Sequence, residues 1–154
     1  MAKKTEVPQT TQPERSNKME GSFLDLNFDG VYTPELFDAD KEVLLRVSRA
    51  SLKAKKGDKE GYNIEVVFED PTNPRTVDVY HYVSVPPEAL KAENPKSYNA
   101  QMVRLQEFCQ AMDIGARFDV EQDLPGKEVW AVLRVEDDPQ FGKRNSIKRF
   151  ITKR

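Results

Sequence analysis

The chain holds one cysteine, Cys109, and one histidine, His81, so a thiol–imidazole pair is the first chemistry to test. A thiolate nucleophile needs a base within hydrogen-bond reach and a third group to orient that base. Cys109 falls in an apolar stripe at helical spacing with Leu105 and Met112, which reads as a small buried thiol. His81 sits in the alternating run VDVYHYVSV and reads as a strand residue at a core or edge position. A single imidazole also rules out a multi-histidine metal centre. The adjacent acids Glu69–Asp70 and Asp137–Asp138 are of the type that holds magnesium. Each pair precedes a proline, and turn-forming, solvated acids are the simpler reading. No GxxxxGK[ST] loop and no GxGxxG turn is present. The inventory points away from an enzyme and calls for no cofactor and no metal.

Cations and aromatic rings remain. Overall, 24 Lys and Arg against 26 Asp and Glu give a net charge of −2, so a uniformly basic nucleic-acid binder is excluded. The distribution is uneven. Residues 20–46 carry seven acids and two bases, and residues 113–138 carry eight acids and three bases. Residues 47–60 instead carry five bases and two acids, with Lys53, Lys55, Lys56 and Lys59 in or beside a Gly-containing loop. Residues 143–154 carry six bases and no acid, among them Lys143, Arg144, Lys148 and Arg149. Tyr80 and Tyr82 alternate with the valines of their strand and project to the opposite face. Trp130 is out of phase with the apolar side of its own strand; it is either a stacking platform or a ring packed under another segment or a partner. Phe141 stands in a Pro/Gly loop, where a large ring has little structural use. Unpaired bases stack on such rings whatever their sequence, and Lys and Arg neutralise phosphates and release counterions. The pattern therefore suits single-stranded nucleic acid.

The elements that must position these groups follow from periodicity. At 154 residues the chain is long enough for one domain. Residues 1–20 are polar and Pro-rich and are expected as a disordered tail. Residues 21–41 carry apolar side chains without a clean period and are expected as an irregular arm, packed on the main domain or on a second subunit. Residues 42–154 form the main domain. In EVLLRVSRASLKAK the apolar parity switches from odd to even numbers, which requires a bulge near Ser48–Arg49. Strands are expected at 62–70, 75–85, 126–136 and 146–154. A helix is expected across SYNAQMVRLQEFCQAMDIG, capped by Ser97, stopped at Gly115, and facing the core with Tyr98, Met102, Leu105, Cys109 and Met112. Three strands, a helix and two strands, with a long bent first strand, is the element order of the OB-fold, a mainly β, five-stranded Greek-key barrel. In that barrel the loop between strands one and two and the loop between strands four and five flank one groove, with Tyr80 and Tyr82 on its floor.

The closing stretch GKEVWAVLRVEDDPQFGKRNSIKRF, residues 126–150, resembles the end of a family of bacteriophage single-stranded DNA-binding proteins, long catalogued only as a domain of unknown function. Asn145, Ile147, Lys148, Arg149 and Phe150 match the family's ending, and residues 105–115, LQEFCQAMDIG, resemble its preceding helix. The resemblance covers roughly the last fifty residues; upstream only the pattern of elements agrees. It implies an OB-fold protein that coats single-stranded DNA without sequence preference during phage replication or recombination. The apolar arm and Trp130 are compatible with a homodimer, and the setting is compatible with contacts to replication or recombination proteins. A protein–protein adaptor using the same face and the arm is the alternative. Many replication proteins of this type end in an acidic tail that recruits partners; this chain ends ITKR, so recruitment of that kind is not expected. No apolar run approaches the ~20 residues of a membrane span. Residues 1–20 lack the apolar stretch of a secretory signal, and a single cysteine forbids an intrachain disulfide. The expected location is the host-cell cytoplasm.

Overall fold

A computed structural model describes residues 19–57 and 60–152. The expected disordered tail, residues 1–20, lies outside the described residues apart from its last two positions. The chain divides into two units, one ending at Thr33 and one beginning at Pro34. In the first, β1 (Met19–Glu20) and β2 (Phe23–Leu24) form a short antiparallel hairpin. Gly21 takes a positive φ of 59° in its turn, where a Cβ would be strained. Residues 34–41 belong to the second unit, and Phe37 is part of its core.

The second unit is mainly β. Its strands are β3 (Glu42–Ala54), β4 (Tyr62–Glu69), β5 (Val79–Val85), β6 (Glu128–Asp138) and β7 (Gly142–Ile151). They form one antiparallel sheet in the order β5-β4-β3-β6-β7. The first half of β3, Glu42–Arg46, pairs with β6, and Arg46–Ala54 pairs with β4. The register shifts between Val47 and Arg49, so Ser48 is the extra residue, and its hydroxyl donates to the Val67 carbonyl at 3.1 Å. A second shift, between Val132 and Leu133, bends the β6–β7 pair. The sheet is open, because no hydrogen bond joins its edge strands β5 and β7. The edges nevertheless meet through side chains: the His81 ring stands edge-on to Phe150 at 5.2 Å.

Three helices connect β5 to β6: α1 (Glu88–Glu93), α2 (Pro95–Met112) and α3 (Val120–Asp123). The stretch between the third expected strand and the expected helix thus holds α1. The cap of α2 also differs from the expectation. Asn94, not Ser97, is the N-cap, and its side chain accepts from the Ser97 N–H at 3.2 Å. Pro95 occupies the first helical turn, where no N–H is needed. The helix stops at Asp113 in the left-handed conformation, two residues before Gly115. Its buried residues are Phe108, Ala111 and Met112. Leu105 and Cys109 are half-buried as the stripe predicts, but Met102 is exposed. Phe108 packs on His81 at 6.4 Å and on Phe150 at 6.1 Å, so α2 seats at the gap between the sheet edges.

Two strands differ in length from expectation. Residues 75–78 do not continue β5 upstream. Val77 donates to the Glu35 carbonyl at 2.8 Å, and Glu35 to the Arg75 carbonyl at 3.0 Å, so this segment pairs with the stretch before Phe37. Asp70, Thr72 and Asn73 hold the preceding turn with their side chains. The β6–β7 loop is shorter than predicted and spans only residues 139–141. Lys143, Arg144 and Asn145 are consequently strand residues.

The core holds Leu45, Val47, Ile64, Val66, Phe68, Val79, Val83, Val129, Ala131 and Leu133 from the strands, with the helix residues above. Asn145 is buried among them. Its amide accepts from the Phe37 N–H at 2.8 Å and donates to the Phe37 and Arg134 carbonyls at 3.2 and 3.3 Å. Asn145→Ala would leave one buried donor and two acceptors unpaired. It should cost roughly 2–3 kcal/mol in urea unfolding, whereas loss of less than about 0.5 kcal/mol would remove this clamp from the account.

Burial depresses the His81 imidazole below its ordinary value. The unfolded chain therefore takes up the proton first as pH falls, and stability contributed by neutral His81 is lost below about pH 6.5. Thermal melts should show that loss in the parent and a flatter profile between pH 7 and about 5.5 in His81→Phe.

Candidate functional site

The bulge at Ser48 sets the outward face of the second half of β3. Beyond it Arg49, Ser51 and Lys53 alternate with the buried Ala50 and stand on the outer side. Across the sheet, Arg49 aligns with Val67 and Tyr80, Ser51 with Glu65 and Tyr82, and Lys53 with Asn63 and Ser84. Tyr80 and Tyr82 are exposed by 47% and 56%, as their alternation with the valines predicts.

Both rings are held by polar contacts at their rims. The Arg49 guanidinium donates to the Tyr80 hydroxyl at 3.2 Å, and its carbon lies 5.8 Å from the ring centroid. Such a cation over an exposed ring is worth ~0.5–1 kcal/mol. The Tyr82 hydroxyl donates to Glu65 at 2.9 Å, and Lys53 pairs with the other oxygen of the same carboxylate at 3.2 Å. The hydrogen bond from Tyr82 holds the Glu65 carboxyl below its ordinary range; desolvation opposes it, and Lys53 reinforces it. The same bond, reinforced by desolvation, raises the Tyr82 phenol. The charge of Arg144, from β7, acts on that phenol in the opposite direction.

The first basic loop lies beside these rings. Lys55 donates to the Ser84 hydroxyl at 2.6 Å, at the end of β5. Gly61 closes the loop against that same end: a Cβ there would lie 2.7 Å from the Val85 carbonyl oxygen. Lys53, Lys55, Lys56, Asn63, Glu65 and Tyr82 line one depression of about 610 Å³. Lys59 lies outside the described residues.

The second basic cluster is not the bare cationic wall its sequence suggests. Lys143 pairs with Asp137 at 3.1 Å. Arg144 lies 4.0 Å from Glu136 and 3.8 Å from Asp138. Lys148 pairs with Asp40 at 3.1 Å. Antiparallel pairing of β6 with β7 sets acids directly across from cations, Glu136 from Arg144 and Asp137 from Lys143. Asp138 also accepts from the Gln140 and Phe141 N–H groups and shapes the turn. Phe141 at the tip is 73% exposed. Arg149 is exposed and has no acidic partner among the described residues.

Trp130 stands on β6. It is half-exposed and aligns with Leu44 and Ile151, on the half of β3 before the bulge. Arg49 is the site residue that sequence reasoning passed over. The parity switch contained its signal, because an inward Ala50 places Arg49 outward.

The residues weighed for catalysis are otherwise engaged. Glu69 pairs with Arg46 at 2.8 Å, and Asp70 accepts from Thr72 and Thr76. Burial pushes the Cys109 thiol up. Among the described residues no three His, Cys, Asp or Glu side chains gather as a metal site. Among them, too, no helix is long and apolar enough to cross a membrane. No family model matches the chain, and no curated protein matches it in sequence.

Glu65→Gln removes the charge that holds the Tyr82 proton. A tyrosine titration followed by NMR should find the Tyr82 phenol lower in Glu65→Gln than in the parent. An unmoved value would mean that the carboxylate does not anchor the ring.

Proposed function

We propose that the chain is a single-stranded DNA-binding protein of the OB-fold type, with Tyr80 and Tyr82 stacking on bases. The observation that carries the reading is the pair of adjacent outward tyrosines, bracketed by Arg49, Lys53, Lys55 and Lys56. Strand order supports the barrel. The sequence β5-β4-β3-β6-β7 becomes a five-stranded barrel when its two edges meet, and the His81–Phe150 contact draws them toward one another. The bulged first strand and a helix seated at the seam suit the same architecture.

Magnitudes decide between stacking and charge as the main source of affinity. Stacking contributes ~1–3 kcal/mol per base, and two rings offer two platforms. The ion pair of Lys143 with Asp137 is solvent-facing and worth about 0–1 kcal/mol, and Lys53 and Arg144 keep exposed ammonium and guanidinium heads although Glu65 and Asp138 are less exposed. A phosphate displaces such a carboxylate at little cost, so the acids do not forbid binding. They do lower the net number of counterions released, and the salt dependence should be shallower than the count of basic residues implies. The protein acts as a coat or carrier with no catalytic step, in a phage replication or recombination setting, as the resemblance of residues 126–150 implies.

The adaptor reading keeps one observation of its own. Phe23, Leu24, Leu26, Phe28, Val31 and Tyr32 are all exposed in the first unit, a composition suited to a protein partner.

Fluorescence titration with oligo-dT tests the proposal. Tyr80→Ala with Tyr82→Ala should weaken binding by about 2 kcal/mol or more while the protein stays folded. A folded double variant with the parent's affinity would remove the stacking floor, and a parent that binds no oligo-dT would leave the adaptor reading standing.

A further inference from the structure

Beside the tyrosine face, and separate from the depression that holds the first basic loop, a groove of about 650 Å³ runs along the seam between β5, β7 and α2. Tyr82 lines both hollows and is the ridge they share. The floor of the groove is apolar, made by His81, Phe108 and Phe150 in mutual ring contact. Its rim is polar: Ser84 donates to Gln101 at 2.7 Å, and the charged residues are Arg104, Lys148 and Arg149 against the single acid Glu107. Lys148 is held by Asp40. Arg104 and Arg149 are exposed, and neither has an acidic partner among the described residues. They face the groove from two different elements, α2 and β7.

These are the conditions a phosphodiester needs. An unpaired guanidinium presents a planar fork of donors to phosphate and gives up no internal salt bridge to do so. On the tyrosine side, by contrast, Lys53 must first release Glu65. We propose that the seam groove continues the path of the bound strand past Tyr82, and that Arg104 and Arg149 hold its phosphates there. The proposal rests on the single-stranded DNA reading and deepens it. It makes α2 part of the binding surface, and it gives the strand a course across the β5 edge rather than along β4 and β5 alone.

Length dependence separates the two hollows. Titrations with oligo-dT of about 4 and about 16 nucleotides bracket the span of an OB-type site. A four-nucleotide strand is satisfied by the tyrosine face, whereas the longer one reaches the seam. Arg104→Ala with Arg149→Ala should lower affinity for the longer strand roughly tenfold and flatten its salt slope by about 1.4, two contacts at ~0.7 each. Affinity for the short strand should stay within about twofold, the unfolding temperature should match the parent's, and Arg104→Lys with Arg149→Lys should restore the slope. Unchanged affinity and slope for the longer strand, in a protein whose Tyr80→Ala, Tyr82→Ala variant still loses binding, would overturn the groove and leave the function intact. Equal losses on both lengths would overturn the proposed continuation, because both arginines would then belong to the tyrosine face. Failure of the parent to bind either strand would instead refute the single-stranded DNA reading itself.

Discussion

One extra residue in one strand organises this molecule. If Ser48 were a regular strand residue instead of a bulge, strict alternation from Val47 would turn Arg49, Ser51 and Lys53 inward, to the side of the sheet that holds Phe68 and Val66. The bulge lets the first half of the strand face β6 and the second half face β4, each with its apolar side on a common core. It also bends the strand, which carries the β6–β7 pair round toward β5. The outward row of cations beside the tyrosines and the approach of the two sheet edges therefore share one cause. The Ser48 hydroxyl engages the Val67 carbonyl beside the irregularity, and Val67, though on the outer side of β4, is fully buried next to it.

That device was legible in the sequence because it is a break in a strict period of two, and a period of two has no other explanation in a strand. The outward tyrosines were legible for the same reason. What could not be read was pairing between distant segments. The β6–β7 cations looked free because their acids sit on the opposite strand, and only the register Glu136–Arg144 and Asp137–Lys143 brings them together. The same limit hid the end of the arm. Phe37 lies in an aperiodic stretch, and it is buried because Asn145, 108 positions later, binds both its N–H and its carbonyl. The shift in the helix stripe has a tertiary cause: Phe108 packs on His81 and Phe150 at the seam rather than following the best apolar period.

Electrostatically the site is poised rather than simply positive. Glu65 in the middle of the proposed binding face looks like an error for a polyanion ligand. Its geometry explains it: one carboxylate orients a tyrosine hydroxyl and a lysine ammonium at once. A ring and a cation fixed in advance lose less entropy on binding than free side chains would. The local charge is reduced, but the Lys53 side chain is itself exposed, so its ammonium stays within reach of a phosphate.

The seam divides its labour by depth. Its floor is a cluster of three rings whose packing seats α2 on the sheet, so substitutions there act on the fold first. Its rim is made of long, exposed side chains that rest on that floor without supporting it, and changes at such positions usually stay within about 0.5 kcal/mol of stability. Because the edges meet by ring contact and no ladder of backbone hydrogen bonds fills the gap, the space between them is wide enough to be a groove. A fully hydrogen-bonded closure would bring the strands to about 4.8 Å and erase it. The incomplete seam and the second hollow are one feature, and it is what gives the helix a surface in common with the tyrosine face.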